Sequence, residues 1–443
     1  MKTPFNLRWI LAGLVWWPAL ALGQGLPEPV TDADYRPVDL DEAKLGQLLF
    51  YDPILSGNRT VACATCHHPD FATGDGVSLS FGDGGAGLGP DRVADADNMP
   101  EERIPRNAPA LFNLGAHEFT VLFHDGRLEV DPDRPGGLRT PMDADMIVGF
   151  ASALSAQTMF PVLSRDEMAG SHRENDVARA VRQGVITGTG GAWDLIARRV
   201  AAVPEYATRF SAIYPHVAGP EDIAFTDISN AIAAFMEHEW RSDSAPFDAV
   251  LRGEAELDGP QQAGLDLFYG AARCSTCHLG PFLTDHGFHA MGAPQIGPGK
   301  SASFEDHDRD EGRFRVTGDP ADLYAFRTPS LRNVALTAPY GHAGAHRDLA
   351  AFVAAHADPV AGIKAYTTDQ AVLPVFEAED FVVMRDPEQV AAILGAVRAP
   401  AVKLSPGEVA EIVAFLETLT DPVAVKGRLG VPETVPSGLP VPR

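Results

Sequence analysis

Apolar residues recur at helical spacing in four separate stretches of the chain. In "DLDEAKLGQLLF" (39–50), Leu45, Leu48 and Leu49 fall on one side, and Asp39 stands where an N-terminal cap belongs. "DGPQQAGLDLFYG" (258–270) repeats the arrangement, with Asp258 as cap, Pro260 in the first turn and Ala263, Leu267 and Phe268 on one face. "DISNAIAAFMEHEW" (227–240) has the same period. "SPGEVAEIVAFLETL" (405–419) opens with Ser405, Pro406 and Glu408, a capping box with proline at the first helical position. Alternating, strand-like runs are sparse. The pattern therefore predicts a mainly α fold with few short strands and long loops. One such loop is the Gly- and Asp-rich stretch 82–106; "SDSAPFDAVLRG" reads as a linker, and 423–443 as a flexible tail.

Composition adds a class and a compartment. The chain has 443 residues, of which 45% are apolar and 21% charged, a globular composition long enough for two domains. The net charge of −25 repels nucleic acid and anionic lipid and would steer in a basic partner. Lys2 and Arg8 precede "WILAGLVWWPALALG", a run too short to span a bilayer comfortably and ending in small residues. Residues 1–23 are thus expected to be a signal peptide. The mature protein would be exported to the periplasm and carry no membrane anchor after cleavage.

Exported chains commonly form disulfides, yet this one has only Cys63, Cys66, Cys274 and Cys277. They form "CATCH" (63–67) and "CSTCH" (274–278), two copies of C-x-x-C-H. Zinc would need a further cysteine or histidine pair near each motif, and a redox dithiol does not require the histidine. Cysteines one helical turn apart can each form a thioether to a haem vinyl group, with the next histidine under the ring. Two covalently bound haems c are therefore expected, with His67 and His278 as iron ligands. His68 cannot lie under the same ring and is expected at the surface or behind the ligand. Because each motif follows a capped amphipathic helix, two cytochrome c-like haem domains are expected to pack together, over 28–244 and 245–422.

Further blocks carry a family resemblance. "RNAPALFN" (106–113), "DGR" (125–127), "APFDAVLRG" (245–253), "GPFLTD" (280–285), "GDPADLYAFRTPSLRNVALTAPYGHAG" (318–344) and "LSPGEVAEIVAFL" (404–416) occur in the order found in the bacterial diheme cytochrome c peroxidases and their MauG relatives. The chain resembles that superfamily over about residues 40 to 420. The resemblance implies a peroxide-reactive haem on His67 and an electron-transferring haem on His278. It implies hydrogen peroxide as oxidant and a small electron-donor protein, a cytochrome c or a cupredoxin. A MauG-like alternative uses peroxide-derived high-valent iron to oxidise a side chain of a partner protein. An alternative of another class is a non-catalytic diheme electron carrier.

The resemblance also assigns residues. Gln157 and Glu167, ten apart with Pro161 between them, match the polar pair on the open face of the peroxidatic haem. Glu167 is expected as acid/base and Gln157 as a positioner; the competing reading makes Glu167 a helix-start carboxylate capped with Ser164. Many relatives carry a blocking histidine on the loop after the first motif, whereas here none occurs between His68 and His117. The first iron is thus expected to keep an open face without reductive activation. At the second haem, the residue 17 beyond Pro339 is His356, where the peroxidases have Met and MauG has Tyr. A bis-histidine haem, His278 with His356, follows; the competing reading makes His356 a partly buried helix histidine with the iron ligated by another group, and Met384, the one nearby methionine downstream, carries no family motif. His124 replaces the usual inter-haem Trp, as relay or as hydrogen-bonder. Residues 128–153 form a longer segment than in the peroxidases and are expected to fold over the first haem's entrance. One Ca²⁺ is implied at the side chain of Asn107 and the carbonyls of Thr337 and Pro339, with His342 bracing that loop. Arg327 and Arg332 are expected to face haem propionates, or else to form salt bridges. "EDHDRDEG" (305–312) resembles a calcium loop but lacks its glycine position and final Glu, and reads as a solvated acidic loop.

Overall fold

Asp39 accepts hydrogen bonds from the backbone N–H groups of Asp41 and Glu42, at 2.8 and 3.0 Å, and so starts the helix Leu40–Phe50. That helix packs against Phe225–Glu239. Gly46 permits the contact, because a Cβ there would stand 1.8 Å from the carbonyl oxygen of Ala231. The second half repeats the device. Asp258 and Gln261 exchange capping bonds at the start of Gly259–Tyr269, which packs on Pro406–Glu417. There a Cβ on Gly264 would stand 1.9 Å from the carbonyl oxygen of Glu411. Ser405 and Glu408 cap the partner helix as the sequence predicts.

This computed structural model describes residues 25–443 except 172–173 and 302–304. The expected signal peptide, residues 1–23, lies outside the described residues. Helix accounts for 41% and strand for 6% of the structure, so the mainly α expectation holds. The strands are short antiparallel patches. Gly85–Ala86 pairs with Val93–Ala94, Val121–Leu122 with Leu128–Val130 and then Leu138–Arg139, and Phe288–His289 with Phe326–Arg327. Among the described residues no helix is long and apolar enough to cross a membrane.

Two main cores match the repeated helix pairs. Leu45, Leu49, Phe50, Trp193, Phe235 and Trp240 belong to the first, and Phe247, Leu265, Phe268, Ile412 and Phe415 to the second. Between them the stretch expected as a linker is structured. Pro246–Leu251 is helical, Phe247 packs edge-on against Phe415, and Asp248 pairs with Arg332 at 2.6 Å.

The segment after Asp421 also departs from expectation. Pro422–Lys426 is helical, and Ala424 and Val435 belong to the first core. The backbone N–H groups of Arg428, Leu429 and Gly430 donate to the buried Glu239 carboxylate at 2.6 to 3.0 Å, and Ser437 donates to Asp52. The segment 423–443 thus returns to the first core and supplies the buried Glu239 with donors.

Candidate functional site

Cys63–Cys66 makes a single helical turn, so the two sulfurs lie one turn apart with His67 at its end. His67 Nδ1 donates to the carbonyl of Thr73 at 2.9 Å, leaving Nε2 as the free ligand atom. The second motif has the same arrangement. Cys274–Thr276 forms a tight turn, and His278 Nδ1 donates to the carbonyl of Leu283 at 3.1 Å. The four cysteines are free of disulfides, as thioether attachment requires.

The two histidines differ in what faces them. Opposite His278 stands His356, on the helix Leu349–Ala357, with ring centroids 6.4 Å apart. Two imidazole nitrogens on opposite sides of one metal, each about 2 Å from it, place their rings about 6 Å apart. Burial foremost, and then the nearby His278, push the His356 imidazole down to about 4, so it is a neutral lone-pair donor at pH 7. Met384 instead packs with Val383 and Ile393 in a satellite cluster.

On the first haem's side the sequence places Gln157 and Glu167, and the fold puts them on successive turns. Gln157 ends the helix Ala153–Gln157, and its Oε1 is buried with no hydrogen-bond partner. Pro161–Leu163 forms a turn that packs against Arg165–Ala169, a single wide π-turn holding Glu167. Glu167 lies in the first turn of this segment, but Ser164 makes no side-chain cap, so the capping box of the competing reading does not form. Burial raises the Glu167 carboxyl above its ordinary range, opposed by Lys300 and Arg127.

The loop after the first motif is tied to this turn. Gly82 N–H donates to Asp166 O and Asp83 N–H to Glu167 O, at 3.2 and 2.9 Å. Arg92, buried, binds the carbonyls of Phe81, Gly82 and Gly87. Farther along, Arg103 reaches Asp380 at 2.9 Å, with its guanidinium over the rings of Phe81 and Phe376.

Between the halves, Arg106 binds Asp310 through Nε and Nη2 at 2.6 and 2.8 Å and Asp125 through Nη1 at 2.7 Å. Asp310, expected in a solvated acidic loop, is thus buried. His124 Nε2 donates to the Asn107 carbonyl at 3.1 Å; burial and then Arg106 hold it near 3, hence neutral. His342 stacks on Phe326 with centroids 3.8 Å apart, and its carbonyl accepts from Asn107 N–H.

The two arginines expected at propionates differ. Arg327 binds only the carbonyls of Phe123 and Thr328, and burial pushes its guanidinium down to about 10. Among the described residues this half-buried cation has no carboxylate partner, which suits a haem propionate. Arg332 corrects the expectation. Its fully buried guanidinium binds Asp248 and the Pro281 carbonyl. His68, expected at the surface or behind the ligand, is not at the surface: it is 2% exposed and packs edge-on against Tyr51. Lys300 escaped the sequence reading altogether, because a lone lysine in "IGPGKS" belongs to no helical face and no motif.

The two histidines anchored through Nδ1, the unpartnered Gln157 oxygen and an Arg327 with no ion pair among the described residues all fit two covalently held haems. Comparison with known proteins agrees. A family described as di-haem cytochrome c peroxidase matches residues 41–256. Cytochrome c551 peroxidase of Pseudomonas aeruginosa is 29% identical over 327 residues, covering 74% of each chain. The methylamine utilization protein MauG of Paracoccus denitrificans is 29% identical over 415 residues, covering 89% of this chain and 92% of that one. The crystal structure of a MauG-like protein associated with microbial copper homeostasis superposes with a TM-score of 0.57 at 27% identity, covering 93% of this chain and 97% of that one. The chain belongs to the di-haem cytochrome c peroxidase and MauG family, oxidoreductases that carry two haems c.

Proposed function

We propose that the protein is a periplasmic diheme peroxidase in which His67 holds the haem that meets hydrogen peroxide. Cys63 and Cys66 would attach that haem, and Cys274 and Cys277 the second, which His278 and His356 would hold from both sides. The haems supply the iron at which peroxide is reduced and the path by which electrons arrive. The residues of the chain supply the protons and the positioning.

Glu167 is the group suited to move the proton. Its carboxylate would take a proton from one peroxide oxygen and return it to the other as the O–O bond breaks. Burial favours such a shuttle, because it raises the carboxyl towards neutrality. Gln157, with its buried Oε1 unpartnered, would hold the peroxide by a hydrogen bond. Arg327 would pair with a propionate.

A calcium ion would take the Asn107 side chain and the carbonyls of Thr337 and Pro339 as ligands. Asn107 Nδ2 donates to the carbonyls of Val77 and Ser78, which leaves its Oδ1 for a cation beside the carbonyls of Thr337 and Pro339. His124 serves in this reading as a neutral bridge in the inter-haem wall.

The observation that carries the proposal is asymmetry. His278 has an imidazole facing it, while the residues assigned to the open face of the His67 haem are a glutamine and a glutamate. An electron spin resonance spectrum of the oxidised protein should show one high-spin and one low-spin iron; two low-spin signals would instead support a simple electron carrier. Turnover with peroxide and a reduced small cytochrome c or cupredoxin tests the peroxidase reading. The histidine at position 356 specifically favours the MauG-like alternative, since an imidazole lowers the second haem's potential relative to the peroxidases' methionine. Negligible cytochrome turnover with a long-lived oxidised state would establish that alternative.

A further inference from the structure

A cavity of about 370 Å³ lies beside Arg127. Part of its lining comes from Arg134, Arg139, Thr140, Pro141 and Asp143, within the extra stretch 128–153 expected over the first haem's entrance. Its lining sets Arg127, Arg134, Arg139, Arg315 and Lys300 against Asp125 and Asp143, an excess of cations in a chain of net charge −25.

The arginines and the lysine are not equivalent. Arg127 has Asp125 at 3.0 Å, Arg139 has Glu129 at 2.9 Å, Arg315 has Glu305 at 2.9 Å, and Arg134 has Asp143 at 2.5 Å. Lys300 forms no ion pair among the described residues. Its backbone is fixed by a hydrogen bond from its N–H to Arg309 O, so the side chain emerges at a defined place in the wall. Burial first, and then Arg127 and Arg106, push its ammonium down to about 8, against the opposing pull of Glu167 and Asp125. An ammonium half-withdrawn from water and facing guanidinium groups is costly unless an anion joins it.

We propose that this cavity binds a carboxylate, with the Lys300 ammonium as its ion-pair partner and the paired arginines as the surrounding positive wall. Two sources offer that chemistry. One is a propionate of the haem on His67, reaching the cavity from within. The other is a free organic acid from solvent, seated between Lys300 and the 134–143 arm. The proposal rests on the reading that places the open haem at His67, but its test reads binding and haem vibrations, not turnover.

The experiment uses the diheme protein and its Lys300→Met and Lys300→Arg variants, each checked for two attached haems by mass. Calorimetric titration with sodium succinate at constant ionic strength is the first arm. Saturable binding that weakens at least tenfold in Lys300→Met and survives in Lys300→Arg assigns the site to a free acid. The second arm is resonance Raman of the haem propionate bending modes. No succinate binding, with a shifted bending mode in Lys300→Met and a normal one in Lys300→Arg, assigns the site to the haem's own propionate. The absence of both succinate binding and a shifted mode overturns the proposal. Loss of the high-spin signal in the unaltered protein would count against the placing of the open haem, not against the carboxylate site.

Discussion

His278 and His356 face one another across 6.4 Å, ring centre to ring centre, although 78 residues separate them in sequence. His278 is held by Leu283 O, and His356 by the helix that Asp348 caps, so both rings are oriented before any haem is considered. Replacing His356 by Met should keep the second haem six-coordinate and raise its potential. The expected rise is on the order of 0.1 V, a fraction of the about 0.8 V that axial ligands span. A spectroelectrochemical titration checks it. An unchanged second potential would show that His356 does not reach the iron.

Glu167 offers a second test. Glu167→Gln keeps the shape and removes the ionisable proton site, so the bimolecular reaction with peroxide should slow by about 10²- to 10⁴-fold while both haems remain. The pH dependence follows in sign from its burial. The acting form is the carboxylate, so the rate should rise with pH through an inflection above the ordinary Glu value of 4.5. Stopped-flow rates across pH 4 to 8 decide it; a flat profile, shared by Glu167→Gln, would remove Glu167 from the mechanism.

The helix crossings give a stability test. Gly→Ala inside a helix ordinarily stabilises by about 1 kcal/mol. At Gly46 and Gly264 the sign should reverse, because the added Cβ would meet a carbonyl oxygen at 1.8 and 1.9 Å. Each substitution should cost about 1–3 kcal/mol through forced separation of the helices. Gly395→Ala, in a helix with nothing within 4 Å of the added Cβ, is the control and should stabilise. Thermal unfolding of the three variants measures the contrast.

What was legible in the sequence was local. The caps at Asp39, Asp258 and Ser405 act within three residues, and each C-x-x-C-H motif is a contiguous turn, so both could be read directly. Glu167 needed the family resemblance, since its own neighbours spell a capping box that the fold does not form. Contacts closed over long loops could not be read. Glu239 collects its donors from residues 428–430, which ties the apparent tail to the first core. Arg332 looked free for a propionate because its partner, Asp248, lies 84 residues earlier.

The same non-locality governs the last test, at the seam. Asp310 takes a two-pronged bond from Arg106, 204 residues away, and Asp125 takes a third. Burial alone would raise the Asp310 carboxyl, but Arg106 outweighs it and holds the group near 2. A folded-state value below the unfolded value of about 4 means stability is gained above that value and lost as pH falls through 2. Acid should therefore loosen the union of the two halves between about pH 4 and pH 2. Asp310→Asn removes one charge from a buried set and should cost about 3–5 kcal/mol at pH 7. It should also flatten the acid limb of the stability curve, because the titrating carboxyl is gone. Denaturant melts of both proteins from pH 7 to pH 2 measure the two effects together; equal slopes would show that the Arg106–Asp310 pair is not what acid breaks.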